Sequence, residues 1–202
     1  MSELFLSLLI FAAVATGSPG GATTLATASG AQFGLQRSLR LLAGVSLGLA
    51  MLMAVVAGGL GSLVAAWPQF QLGLRLVGSA YLLWLAWTIA RQAGPDVDAG
   101  VEGGAAAAPL GVAAGALLLW LNPKAWSMAV AAAGAYAGLA GNAAVLALLL
   151  GAVFGLAAAV SLTLWCTGGA WLARRLQTRR QWRALNLVLG LLLVASIVPM
   201  WR

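Results

Sequence analysis

Two long uncharged runs constrain the fold of this chain most. No residue is charged from Ala125 to Ala173, or from Leu41 to Leu74. A helix needs about 20 consecutive apolar residues to fill the hydrocarbon core of a bilayer. Only helices and closed barrels satisfy their own backbone hydrogen bonds there, and the sequence lacks the short alternating segments of a barrel. The chain is therefore predicted to be an all-α integral membrane protein.

The composition supports this prediction and excludes other classes. Of the 202 residues, 62% are hydrophobic and 7% are charged, whereas soluble domains carry roughly 25% charged residues. The net charge of +7 does not indicate nucleic-acid binding, because the arginines flank apolar runs as they do at the ends of membrane helices. A thiol-redox carrier would need two cysteines, and Cys166 is alone. The sequence suggests no cofactor and no metal site.

Six apolar segments, separated by polar or helix-breaking residues, predict six transmembrane helices. Three lie in each half of the chain, so the halves would be two inverted three-helix repeats. Residues 1–95 would form the first repeat, 96–108 a polar cytoplasmic connector and 109–202 the second repeat. The first segment is preceded by one charge, Glu3, and is expected to be a retained helix rather than a signal peptide. The predicted spans are 4–28, 41–66, 72–90, 110–135, 142–173 and 184–200.

The arginine distribution predicts the orientation in a bacterial inner membrane. Eight arginines follow the first, third and fifth spans, whereas the other connectors and the termini offer only Arg75 and Arg202. Positive residues concentrate on the cytoplasmic side. We therefore expect those three connectors in the cytoplasm and both termini outside. The eight residues are Arg37, Arg40, Arg91, Arg174, Arg175, Arg179, Arg180 and Arg183.

Glycines recur at a spacing of four residues along the chain. Such small-residue pairs let helix backbones approach closely in lipid. Because the chain has 26 glycines, some pairs arise by chance, and they predict tight packing without naming partners. The pairs are Gly44 and Gly48, Gly111 and Gly115, Gly134 and Gly138, and Gly151 and Gly155.

The first and fourth spans are both broken near their middle. The first contains the run Gly17 to Gly21, with Pro19 inside it, and the fourth contains Asn122, Pro123 and Lys124. Proline removes a backbone donor, and freed backbone groups persist in a membrane only where protein or a water-filled cavity satisfies them. Broken helices at corresponding positions of two repeats are typical of a secondary transporter with a site near the midplane.

Lys124 is the only lysine in the chain and lies in the middle of the apolar segment "LLLWLNPKAWSM". A lysine at the bilayer centre costs about 2.5–3.5 kcal/mol on insertion scales. Because no acid or histidine lies in any predicted span, its partner would be a freed carbonyl, water or the negative group of a ligand. An ammonium beside a helix N-terminus suits a carboxylate. A lysine that is merely solvated in a crevice is the alternative.

Three segments resemble the LysE/RhtB family of amino-acid exporters. "LWLNPKAWSM" resembles its Asn-Pro-Lys signature in the fourth span, and "TGSPGGATTLATASGAQFG" resembles its Pro-Gly-Pro-Asn signature in the first. "GSAYLLWLAWTIAR" resembles the end of its third span. The chain departs from the family where Gly21 stands for the second proline and Ala22 for the asparagine. The resemblance implies a six-helix exporter of amino acids or similar metabolites, driven by the proton motive force.

The absence of membrane carboxylates predicts a neutral or anionic substrate with a free carboxylate, rather than a basic amino acid. In the absence of an acid or histidine relay, Lys124 is the candidate group for proton coupling. Trp120, Trp126 and Trp165 could form an apolar wall, although packing is the more frequent role of such residues. The predicted substrate-binding residues are Ser18, Pro19, Gly20, Gly21, Thr23, Asn122, Pro123 and Lys124, with Thr24 as a further polar candidate.

Three other interpretations remain open at this point. A channel or a structural membrane subunit would have the same composition. An intramembrane hydrolase would need Ser18 or Ser161 to pair with Lys124 as a serine–lysine dyad. The protein could also form a homo-oligomer, which the sequence does not address. The interpretation that we favour is a transporter, not an enzyme, whose partners are a small amino-acid-like substrate, protons and the lipid bilayer.

Overall fold

The described structure is all-helical, as predicted. The computed structural model describes residues 2–61, 66–91 and 109–201, and no strand occurs within these ranges. The connector predicted at 96–108 lies outside them. By length and composition, Gly21–Leu60, Pro68–Arg91 and Ala143–Ala173 each contain a stretch that could cross a membrane, and Ser2–Gly17 is a shorter apolar helix. The helices are α1 Ser2–Gly17, α2 Gly21–Val55, α3 Pro68–Arg91, α4 Val112–Trp120, α5 Pro123–Ala135, α6 Ala143–Ala173 and α7 Arg179–Ala195.

Helix α2 consists of two arms that meet at Gly34. Gly34 has a φ of 74° and a ψ of 171°, a conformation that is essentially restricted to glycine. The hydroxyls of Ser29 and Ser38 are 2.7 Å apart, although nine residues of continuous helix would span about 13 Å. The chain therefore reverses at Gly34. We call residues 21–33 arm α2a and residues 35–55 arm α2b.

This reversal corrects the predicted connector between the first two spans. The sequence predicted an arginine-bearing connector between residues 28 and 41, but Arg37 and Arg40 lie within helix α2b. A single glycine with positive φ makes the turn, so no longer connector is needed. Arm α2b is followed by a π-helical turn, Val56–Leu60, in which Gly59 also has a positive φ of 125°.

Two other helices begin earlier than predicted because of local capping. Pro68 opens α3, and proline fits the first turn of a helix because the missing donor has no helical partner there. Thr178 and Gln181 form a capping box at the start of α7, with Gln181 N donating to Thr178 Oγ1 over 3.3 Å and Thr178 N to Gln181 Oε1 over 3.1 Å. Arg179, Arg180 and Arg183 are consequently helical rather than part of a connector.

Several of the predicted glycine pairs mark close helix contacts. A Cβ on Gly44 would collide with the Val112 backbone of α4, and one on Gly48 would lie 2.8 Å from Ala116 Cα. On α6, a Cβ on Gly151 would lie 3.0 Å from Ala50 O of α2b, and Gly155 faces the same residue. Gly115 packs against α2b, whereas Gly111 and Gly134 have no atom within 4 Å of such a Cβ, so those two carry no close contact.

Candidate functional site

The two helix breaks meet in the folded chain. Lys124 Nζ donates a hydrogen bond to Ser18 Oγ over 3.0 Å, although the residues are 106 positions apart. A Cβ added to Gly20 would lie 3.6 Å from the same Nζ. The amine of the only lysine in the chain therefore spans the junction between the first and second halves.

The first break is built from short hydroxyl side chains. Helix α1 ends at Gly17, and Ser18 Oγ donates back to Ala15 O over 3.0 Å. At the start of α2a, Thr23 Oγ1 accepts from Gly20 N over 2.8 Å and donates to Gly20 O over 3.0 Å. Thr23 thus satisfies the backbone of Gly20, which has no side chain with which to cap the helix.

Helix α6 satisfies the last carbonyls of α1. Ser161 Oγ donates to Thr16 O over 2.8 Å, and Trp165 Nε1 donates to Gly17 O over 3.2 Å. Carbonyls at the C-terminal end of a helix have no intrahelical partner. Ser161 and Trp165 therefore support the break, and neither lines the cavity next to Lys124.

The second break begins a new helix with its own cap. Asn122 Oδ1 accepts from Lys124 N over 3.0 Å, and Pro123 occupies the first turn of α5. Asn122 O accepts from Ala125 N over 2.9 Å. An asparagine cap followed by proline is a strong local start signal for a helix, so this sequence ends α4 and re-starts the chain as α5.

A cavity of about 60 Å³ lies where the two breaks meet. Six of the eight predicted site residues line it, and the two prolines do not. Pro19 is exposed, and Pro123 faces a neighbouring cavity instead. Thr24 is buried without lining the cavity. The six predicted residues that line it are Ser18, Gly20, Gly21, Thr23, Asn122 and Lys124.

Apolar side chains that the sequence did not indicate complete the cavity wall. They come from helices on every side of the junction and carry no motif that would have marked them. The predicted tryptophans are not among them, and Trp126 Nε1 instead donates to Trp120 O over 2.8 Å. The apolar side chains that the prediction missed include Val45, Leu49, Leu119, Met128, Ala158 and Leu162.

Lys124 lies at the accessible end of this cavity. Its side chain is exposed, whereas Gly21 and Thr23 are buried. The sequence predicts Lys124 to be a charge enclosed in an apolar segment, whereas the residue is exposed at the surface of the described structure. An exposed amine can be hydrated or can meet a solute, which lowers the cost of placing it in this segment.

The electrostatics of the junction favour an anion. Arm α2a and helix α5 both begin at the breaks, and residues from both first turns line the cavity. Helix N-termini carry partial positive charge, although the N–H groups of Lys124 and Ala125 in α5 already donate to Asn122. Lys124 adds a full positive charge, and Glu3 is the only acidic residue in the described part of the chain. The site can therefore hold a carboxylate of a small molecule.

The chain is similar to known bacterial efflux proteins. The cysteine/O-acetylserine efflux protein of Klebsiella pneumoniae subsp. pneumoniae is 40% identical over 89 residues, which cover 44% of this chain and 45% of that protein. The protein of the same name from Escherichia coli strain K12 is 36% identical over 107 residues, covering 53% and 52%. The chain thus spans about half the length of these relatives.

No solved structure matches the chain. The sequence model of the LysE type translocator family, however, matches residues 12–196, from within α1 to just beyond the end of α7. This confirms the resemblance drawn from the Asn-Pro-Lys and Pro-Gly segments. The chain belongs to the LysE type translocator family.

Proposed function

We propose that this protein is a secondary active exporter of small, neutral amino acids or similar carboxylate-bearing metabolites in a bacterial inner membrane. One observation carries the proposal. Lys124 Nζ reaches Ser18 Oγ across the two breaks, in a cavity that also receives the N-terminal turns of α2a and α5. Two helix N-termini and an ammonium form a receptor for a carboxylate.

The substrate class follows from the charges near the cavity. A carboxylate would displace Ser18 as the partner of Lys124, whereas a cationic side chain would be repelled by the amine. Glu3 is the only acid of the described residues and does not line the cavity. Cysteine and O-acetylserine, which the names of the relatives specify, are small amino acids with uncharged side chains, and this supports a neutral substrate.

Two inverted three-helix repeats would explain how the helices pack. Helix α4 packs along α2b, with Gly44 beside Val112. Helix α1 packs along α6, where the Phe11 and Phe154 ring centroids are 5.9 Å apart. The first arm of each broken helix therefore lies on the second helix of the other half. A twofold relation between the halves would produce this exchange, and rocking of one half against the other would alternate access.

Proton coupling would use Lys124 in this scheme. The chain has no histidine, and the described helices offer no acid near the cavity, so the amine is the group that remains to carry a proton. Substrate carboxylate and proton would occupy the same site, because the protonated amine is the form that binds the carboxylate. Export driven by the proton motive force needs a proton to enter as the substrate leaves, so the amine would lose its proton to the cytoplasm once substrate is bound. After the substrate is released outside, the amine would take up a proton there and carry it inward on the return.

A channel is the alternative that needs a direct test, since its composition would be the same. We would reconstitute the protein in liposomes and follow radiolabelled serine in counterflow. A carrier accumulates label against unlabelled serine on the other side, and Lys124→Gln should abolish this. Arg183→Gln, a charge removal at an exposed position of α7, is the matched control. Label movement that is insensitive to serine on the other side would indicate a channel.

A further inference from the structure

A second cavity lies against a different face of α5. It has a volume of about 330 Å³ and lies between α3 and the first two turns of α5. Pro123 and Trp126 face this cavity, whereas Asn122 and Lys124 of the same turn face the first one. The residues that line the second cavity are Gln71, Arg75, Pro123, Trp126, Ser127, Val130 and Ala131.

Arg75 occupies an unusual position for a charged residue in this chain. Helix α3 begins at Pro68, so Arg75 lies seven residues, or about 10 Å, inside the helix. Its neighbours are Leu74 and Leu76, and it is half-buried. The arginine distribution predicts this end of α3 to lie outside, where positive residues are rare. An ionisable residue within a membrane segment is a functional candidate.

The packing of α3 holds Arg75 in place beside α5. A Cβ on Gly78 would collide with Leu121 O and would lie 3.4 Å from Pro123 Cδ. This contact fixes α3 against the second break one turn after Arg75. The opposite wall is also fixed, because Trp126 is bonded to Trp120 O and its ring packs edge-on to Phe70 with 5.5 Å between centroids.

Among the described residues, no acidic side chain lines the cavity beside Arg75. Glu3, the only acid among them, does not line the cavity. A guanidinium presents five donors in a planar fork that matches the two oxygens of a carboxylate or phosphate. Trp126, Val130 and Ala131 provide an apolar wall beside it. The cavity is therefore amphipathic and has one cationic end.

We propose that the cavity between α3 and α5 is a second anion-binding site, in which Arg75 binds the oxyanion of a small amphipathic molecule. Two sources share this chemistry, namely the carboxylate of an amino acid and the phosphate of an anionic phospholipid headgroup. The site is separate from the Lys124 cavity, and its existence does not depend on the proposed export. It would add a second binding position for anions on the other side of the α5 turn.

The test uses thermal stability of the purified full chain in a nonionic detergent. The probes are serine and a short-chain phosphatidylglycerol, and a ligand of the native state raises Tm by mass action. All proteins carry Lys124→Ala, so that binding at the first cavity does not contribute. Arg75→Gln is compared with Arg183→Gln, an equal charge removal at an exposed site.

Arg75→Gln should weaken the apparent affinity for at least one probe about tenfold or more, the expected cost of losing charged hydrogen bonds. Arg183→Gln should leave it unchanged. A lower affinity of Arg75→Gln for serine would identify an amino-acid site. A lower affinity for phosphatidylglycerol would identify a lipid site. Arg75→Lys keeps the charge but not the fork, so it should retain part of the affinity and shows whether the position tolerates substitution. The proposal is overturned if neither probe stabilises the Lys124→Ala protein, or if both arginine variants respond alike.

Discussion

At the scale of single residues, Lys124 combines two properties that sequence and structure reveal separately. It is the only lysine in a chain with few charges, and its amine joins the two breaks through Ser18. In the transport scheme that we propose, the amine both attracts a carboxylate and carries the proton. These two roles need different chemistry. Attraction of the carboxylate needs a positive charge, whereas coupling to protons needs a group that can lose its proton.

Arginine at position 124 should therefore separate binding from coupling. Lys124→Arg keeps a positive charge but does not release its proton in a protein. We expect this variant to retain serine counterflow while losing accumulation driven by a pH gradient, and Lys124→Gln to lose both. Counterflow and gradient-driven uptake are measured in the same proteoliposomes. Gradient-driven accumulation by Lys124→Arg would show that the proton is carried elsewhere.

Ser18 distinguishes the transporter from the serine–lysine hydrolase that the sequence left open. The 3.0 Å contact with Lys124 would also suit a nucleophile and its base. In an exporter, Ser18→Ala removes one hydrogen bond near the substrate, worth about 0.5–1.5 kcal/mol. We expect counterflow with an affinity lowered up to about tenfold. A hydrolytic activity of the purified protein that Ser18→Ala abolishes and Ser161→Ala retains, without counterflow in the unsubstituted protein, would favour the hydrolase.

At the scale of helices, the two breaks and a reversal between residues 28 and 41 could be predicted from sequence, whereas a turn made by Gly34 alone could not. The breaks have local causes, since proline and an asparagine cap act within a few residues. Gly34 is one of 26 glycines, and its positive φ becomes visible only when Ser29 and Ser38 meet. This reversal brings Val45 and Leu49 of α2b to the cavity. Their part in the apolar wall therefore could not be predicted without the position of the turn.

Gly34→Ala should destabilise the protein through backbone strain alone. A Cβ at this position has no atom within 4 Å, but the φ of 74° and ψ of 171° disfavour any side chain by about 1–3 kcal/mol. We expect the free energy of unfolding to fall by that amount, which would lower the Tm of the purified protein. Gly168→Ala is the control, because Gly168 is helical and equally open, and alanine there should be neutral or stabilising. Equal Tm values for the two variants would contradict the strained turn.

At the scale of the whole molecule, the halves are interleaved rather than side by side. Helix α4 of the second half lies on α2b of the first, and α1 of the first lies on α6 of the second. Each broken helix is therefore packed partly by the other half, although Gly21 of α2a also faces Leu82 of α3 in its own half. A rearrangement that opened one side of the Lys124 junction would have to move helices of both halves, which is the behaviour expected of inverted repeats.

The orientation of the whole chain can be tested at the two ends of α6. This helix extends over Ala143–Ala173, about 45 Å, so its ends should lie on opposite sides of the membrane. Arg174 and Arg175 follow its C-terminal end, which predicts that end to be cytoplasmic. Gly141 and Gln177 flank the helix and are both exposed, so a cysteine at either position can react. Cys166 is fully buried, and Cys166→Ala provides the unreactive background.

In that background, a membrane-impermeant maleimide should label Gly141→Cys in intact cells. It should label Gln177→Cys only after the cells are permeabilised, because the arginine-flanked end would face the cytoplasm. The Cys166→Ala parent shows the level of nonspecific labelling, and permeabilised cells show that both cysteines are reactive. Labelling of Gln177→Cys in intact cells, with protection of Gly141→Cys, would invert the topology. Arg174 and Arg175 would then lie outside, against the charge distribution from which the orientation is predicted.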